Sequence, residues 1–147
     1  MPIMEINHSA PATASAETLI HAPLDTAWSI QSNIRDWAQW NPEVAFIDLG
    51  GPLMPGTEFR WKAGGVSIKS ILREVEPMRR LAWTGQTLGI RAIHVWMFEE
   101  QDGDVRVRTE ESLDGLLVRL FARSMRKMLA SSLKKGLKAL KVECEKT

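Results

Sequence analysis

Residues 113–141 read LDGLLVRLFARSMRKMLASSLKKGLKALK. Leu113, Leu116, Leu117, Leu120, Phe121, Met125, Met128, Leu129, Leu133, Leu137 and Leu140 recur at three- and four-residue steps, with Ser124, Ser132 and Gly136 in the same series. Arg119, Arg123, Arg126, Lys127, Lys134, Lys135, Lys138 and Lys141 take the other positions. That alternation is the signature of an amphipathic helix. The spacing predicts one helix of about thirty residues, roughly 45 Å long at 1.5 Å per residue. A lone helix cannot bury its own stripe, and a curved antiparallel sheet with one open face is the natural partner.

The preceding sequence supplies such a sheet. Residues 12–22 place Ala12, Ala14, Ala16, Thr18 and Ile20 on one face of a strand that Pro23 stops. Asp25 is positioned to cap a short helix over 26–33, and a second short helix is predicted over 34–39, broken by Asn41-Pro42. Six strands follow, at 44–49, 57–62, 66–75, 80–84, 90–100 and 105–113, separated by turns such as Gly64-Gly65 and Asp102-Gly103. The predicted class is α+β, a seven-stranded antiparallel sheet wrapped around the C-terminal helix. Residues 1–11 are expected to be a flexible lead-in and 12–147 a single domain, which suits the length of 147 residues.

This order resembles the START-like, or helix-grip, superfamily (SRPBCC-type proteins). That group includes birch-pollen-allergen-like proteins, lipid-transfer domains and polyketide cyclase/dehydrase-like proteins. The resemblance is carried by His21-Ala22-Pro23 with Ala27-Trp28, and by Trp37-Ala38-Gln39-Trp40-Asn41-Pro42. Gly56-Thr57-Glu58-Phe59-Arg60-Trp61, Glu74-Val75-Glu76-Pro77, Leu81-Ala82-Trp83-Thr84-Gly85 and Glu110-Glu111-Ser112-Leu113-Asp114-Gly115 continue it. It covers roughly residues 12–141, and it implies an apolar cavity between sheet and helix. The superfamily includes carriers, enzymes and chaperone-associated domains, so the fold alone does not fix the function.

Composition narrows the classes further. One cysteine, Cys144, excludes a disulfide framework and argues against a structural zinc site. No apolar run approaches the ~20 residues of a membrane span. Met1 to Ala12 has no basic region followed by an apolar stretch, so a cytoplasmic location is expected. The net charge of +1 argues against a dedicated nucleic-acid binder. Residues 114–147 nevertheless carry nine Lys/Arg against three Asp/Glu, a net of +6, which leaves −5 for the rest. That basic face is either a solvated surface or a weak contact for anionic membrane. No dinucleotide, P-loop or Gly-x-Ser-x-Gly motif is present, and His8, His21 and His94 lack metal-ligand spacing, so neither cofactor nor metal is expected.

Strand parity selects the candidate site. Ala92, His94, Trp96 and Phe98 share one face of their strand and are placed inward, with Arg91, Ile93, Val95, Met97 and Glu99 outward. Val105, Val107, Thr109, Glu111 and Leu113 are placed inward on the next. A neutral His94 in an apolar pocket can bond a ligand carbonyl or act as acid/base, with Glu111 as partner; each is otherwise an ordinary structural or strand-end residue. The ligand-lining candidates are Phe59, Trp61, Ile68, Trp83, His94, Trp96, Thr109, Phe121, Met125 and Met128. Trp28, Trp37 and Trp40 are read as packing residues. Six Trp and seven Met suit bulky or adaptable cavity walls.

Three functions stay open at this point. The first is binding or transport of a hydrophobic lipid, polyketide or aromatic compound. The second is a cofactor-independent cyclase/dehydratase using His94 as acid/base. The third is a chaperone-associated interaction domain. A monomer or a homodimer would serve any of them.

Overall fold

A computed structural model describes residues 3–146. Strand β1 (Ala12–Ile20) leads into α1 (Leu24–Ser32), a 3-10 turn (Ile34–Asp36) and the single-turn α2 (Trp37–Trp40). A meander follows: β2 (Val44–Leu49), β3 (Glu58–Ala63), β4 (Val66–Glu76), β5 (Arg80–Thr87), β6 (Ile90–Gln101) and β7 (Asp104–Asp114). The chain ends with α3 (Leu116–Leu120) and α4 (Ala122–Cys144). All pairings are antiparallel, in the order β1-β7-β6-β5-β4-β3-β2. The register slips by one residue between Leu72 and Glu74 of β4, an irregularity of the kind that bends a strand and helps the sheet curve.

The α+β helix-grip architecture is therefore as the sequence predicts. Three details differ. Pro23, not Asp25, occupies the N-cap of α1, so Asp25 lies in the first turn, where its carboxylate faces the positive end of the helix dipole. The long helix is also two pieces, because Phe121 (φ −120°, ψ 36°) leaves helical geometry.

The third difference concerns the outer face of the sheet. Ile93, Val95 and Met97 point there, as parity requires, but Val95 is not solvated. The side chain of Ile6 is buried against Ala82 and Val95, with Met4 packed alongside. The Met4 amide donates to Glu74, Arg80 donates to the Met4 carbonyl, and the Asn7 amide donates to Ser112 Oγ at 3.0 Å. Residues 4–7 are thus docked where a loose lead-in is expected. The physical reason is mutual burial of apolar side chains on an otherwise bare outer face.

On the concave side, α4 packs chiefly along β1. Ala12, Ala14 and Ala16 present only methyl groups there, so the helix can lie close. Leu129, Leu133, Leu137, Leu140 and Cys144 form its buried stripe. Polar contacts fix its rotation. Arg126 and Lys141 donate to the carbonyls of Pro11 and Leu19 beside β1, while Lys135 approaches Glu43 at 3.9 Å on the other flank. Because α4 hugs one edge of the sheet, the concave faces of β3, β4 and β5 are left to the aromatic residues.

Candidate functional site

Register assembles the site in cross-strand rows. One row runs Phe59–Ser70–Gly85–Ala92–Leu113 across β3 to β7. The next runs Leu72–Trp83–His94–Glu111 across β4 to β7, and Trp61 with Ile68 flank the first row on its other side. The middle of the first row is small and closely packed, with Ser70 fully buried and Gly85 buried as well. A Cβ at Gly85 would meet Ile68 Cγ2 at 3.3 Å and Ser70 Oγ at 3.4 Å. Ser70 and Gly85 are not among the predicted site residues. Applying the parity of β4 and β5 from Trp83 would have found both.

His94 lies inward with its ring 4.7 Å from that of Trp83. Its Nε2 is 2.8 Å from Thr109 Oγ1, and that hydroxyl donates its single proton to the Val95 carbonyl at 3.2 Å. Thr109 must therefore accept from His94 Nε2–H, which leaves Nδ1 as a bare lone pair. Nδ1 faces Glu111 Oε1 at 3.6 Å. Burial pushes Glu111 up to about 8 and His94 down to about 3. At neutral pH the carboxyl keeps its proton and the imidazole is neutral. The pair thus offers a proton donor and a proton acceptor side by side. Their side chains keep 12% and 17% exposure, so solvent reaches them.

The other candidates divide. Phe59, Trp83, Trp96 and Thr109 are buried on the concave side, and Trp61 and Ile68 are half-buried. Trp37 inserts its ring among them, 5.7, 5.3 and 5.2 Å from Phe59, Trp61 and Trp83, and donates its indole N–H to the Gln31 carbonyl. These rings fill the space that the resemblance assigns to an enclosed chamber. Two surface depressions lie elsewhere among the described residues. One, of about 660 Å³, sits beside the Leu88-Gly89 turn and α3; the other, of about 410 Å³, lies between β1 and α4. The Trp61 indole donates to Ser70 Oγ at 3.0 Å, whereas the buried Trp96 indole has no partner among the described residues.

Met125 is half-buried, packed against the cluster of Ala12, Leu113, Val118 and Leu129. Phe121 and Met128 are not on the buried stripe of the helix and are 56% and 54% exposed. Successive helical residues turn by 100°, so Met128 lies a quarter-turn from buried Leu129. With Arg126 and Lys141 anchored towards β1, the Phe121–Met128 flank turns the opposite way, towards the uncovered part of the sheet. Among the described residues no group of His, Cys, Asp and Glu is placed to hold a metal ion. No helix among them is long and apolar enough to cross a membrane.

A bent antiparallel sheet gripping a C-terminal helix defines the START-like class. Within that class the chain belongs to the polyketide cyclase/dehydrase and lipid transport family, whose model matches residues 11–145. No curated protein matches it. A hypothetical protein from Helicobacter pylori has a similar structure (TM-score 0.85, 19% identity, covering 99% of each chain). So has a START superfamily protein from Mycobacterium smegmatis (TM-score 0.69, 16% identity, 90% of this chain and 97% of that one). The di-domain ARO/CYC protein BexL, from the BE-7585A biosynthetic pathway, matches at TM-score 0.70 and 21% identity over 95% of this chain. The chain spans about half of BexL, 52%. At these identities the likenesses establish the fold.

Proposed function

We propose that the protein binds an apolar small molecule bearing at least one hydroxyl or keto oxygen. The body of the ligand packs against the aromatic cluster beside the pair, taking the place of the Trp37 ring that is seated among Phe59, Trp61 and Trp83. Its oxygen meets His94 and Glu111. The observation that carries this reading is the His94–Glu111 pair. It is set among apolar rings, keeps some exposure, and has no direct hydrogen bond between Nδ1 and the carboxyl. Few placed polar groups in apolar walls are what such a ligand requires. Titration with a fatty acid and with a hydroxylated polycyclic aromatic should quench the fluorescence of Trp61 and Trp83. His94→Leu removes the polar contact and should weaken binding about tenfold or more, roughly the 1.4 kcal/mol that corresponds to that factor. Absence of quenching by either probe, together with no small molecule retained in native mass spectrometry, overturns the reading.

A second reading, the cyclase/dehydratase, rests on the 3.6 Å separation of Nδ1 and Oε1. His94 Nδ1 would take a proton from the carbon next to a ligand carbonyl. Glu111 would give its proton to a departing β-hydroxyl, releasing water, and the proton on His94 would then return to Glu111. This reading predicts turnover of a β-hydroxy ketone that Glu111→Gln abolishes while the ketone still binds. Unchanged turnover in that variant removes Glu111 from the chemistry.

A further inference from the structure

The end of the molecule that carries the β5–β6 turn has an unusual surface. Leu88 sits at the tip of that turn with φ +38°, followed by Gly89 at φ +76°. Paired positive φ values favour Asn, Asp or Gly in the first position, and leucine is strained there. Its side chain is 83% exposed, so nothing in the fold compensates for that strain. The turn abuts the start of α3 so closely that a Cβ on Gly115 would fall 2.1 Å from the Gly89 carbonyl oxygen. On that adjoining helix Leu116, Leu117, Leu120 and Phe121 are also exposed. Two separate chain segments thus bring large apolar side chains to one end.

Asp114 lies beside them, and Lys69, which lines the same depression as Leu88 and Leu116, is bridged to Glu58 at 3.1 Å. Arg91 and Arg119 share the Asp114 carboxylate, at 3.4 and 3.7 Å. Arg123 and Lys127 have no acidic partner among the described residues. From residue 116 to residue 142 the chain contains no Asp or Glu. Further along the helix, Arg126 and Lys141 are occupied with backbone carbonyls and Lys135 approaches Glu43, while Lys134 and Lys138 stand over the β1 side, away from the exposed leucines.

We infer that this end docks on an anionic lipid bilayer. Leu88 and the exposed leucines of α3 enter the interfacial layer, and Arg119, Arg123 and Lys127 lie at headgroup level. Apolar side chains ringed by Lys and Arg are the composition of an interfacial helix. A second copy of the chain fits poorly. A two-fold contact sets the same patch against itself, which would oppose arginines to arginines. The inference does not depend on the ligand reading above.

Co-sedimentation tests it with the full chain and vesicles of phosphatidylcholine, with and without phosphatidylserine. The expected result is binding that requires phosphatidylserine and weakens as salt is raised. The double variant Leu88→Asn, Leu120→Gln should lose at least about tenfold in vesicle affinity while its melting temperature does not fall, since both side chains are exposed. Arg123→Glu with Lys127→Glu should lose the phosphatidylserine dependence. Failure of the wild type to bind these vesicles overturns the inference, as does undiminished binding by the Leu88/Leu120 variant. A dimer in sedimentation that the same variant dissociates, without vesicle binding, gives the patch to a second copy instead.

Discussion

Strand β6 has the same kind of turn at each end, and the two ends could hardly be used more differently. Leu88-Gly89 precedes the strand with φ values of 38° and 76°; Asp102-Gly103 follows it with 53° and 87°. Asp102 is a residue that this backbone favours, and Leu88 is not. At the Asp102 end, Leu137, Leu140 and Cys144 share a core with Ile20, Phe98, Val105 and Val107. That end is tied shut by Lys141, which bonds the Leu19 carbonyl, and by Glu145, which accepts from the His21 amide at 2.8 Å. At the Leu88 end the helical segment begins with exposed leucines. One end is built for closure, and the other keeps apolar surface in contact with water.

The largest expected effect tests that contrast directly. Leu140→Ala, at the closed end, should cost about 3 kcal/mol, through lost transfer energy and a cavity. Leu120→Ala, at the open end, should stay within about 0.5 kcal/mol. Urea denaturation of the two variants measures both. Equal losses would mean that Leu120 is packed and that the ends are alike.

The next effect concerns the polar pair, which lies between the ends. Depressing His94 to about 3 means that the unfolded chain binds its proton more readily, so stability falls as pH drops below 6.5. Raising Glu111 to about 8 means that the folded chain holds its proton more tightly, so stability falls as pH rises above 4.5. The slopes oppose each other between pH 4.5 and 6.5, where stability is level. Above 6.5 only the Glu111 slope remains, about 1.4 kcal/mol per pH unit, until pH 8. Glu111→Gln should abolish that alkaline decline and, with the opposing slope gone, extend the acid limb so that stability rises up to pH 6.5. An unaltered decline in the variant would show that Glu111 is not its source.

The smallest effect sharpens the comparison of the turns. Leu88→Asn should raise stability by up to about 1 kcal/mol, and Asp102→Leu should lower it by a similar amount. If the two substitutions move the melting temperature in the same direction, backbone preference is not what distinguishes the turns.

Much of this architecture was legible in advance. Period-two alternation placed His94, Trp96, Thr109 and Glu111 on the concave face correctly, because a strand's side chains have only two sides to choose from. The two carboxylates of Glu110-Glu111 separate for the same reason, with Glu110 meeting Arg108 at 3.1 Å on the other face. Helical phase was harder. Phe121 and Met128 belong to the three-four series, yet so wide an apolar arc can bury only part of itself. The break at Phe121 and the anchors of Arg126 and Lys141 decide which part.

Local periodicity alone sets the order of elements and puts His94, Trp96, Thr109 and Glu111 on the inward faces of β6 and β7. Only the tertiary structure decided that Met4 and Ile6 cover the outer face, that Trp37 packs into the ring cluster, and that the Phe121–Met128 flank is left open. Each of those depends on which surfaces distant segments bury together, and local spacing carries no information about that choice.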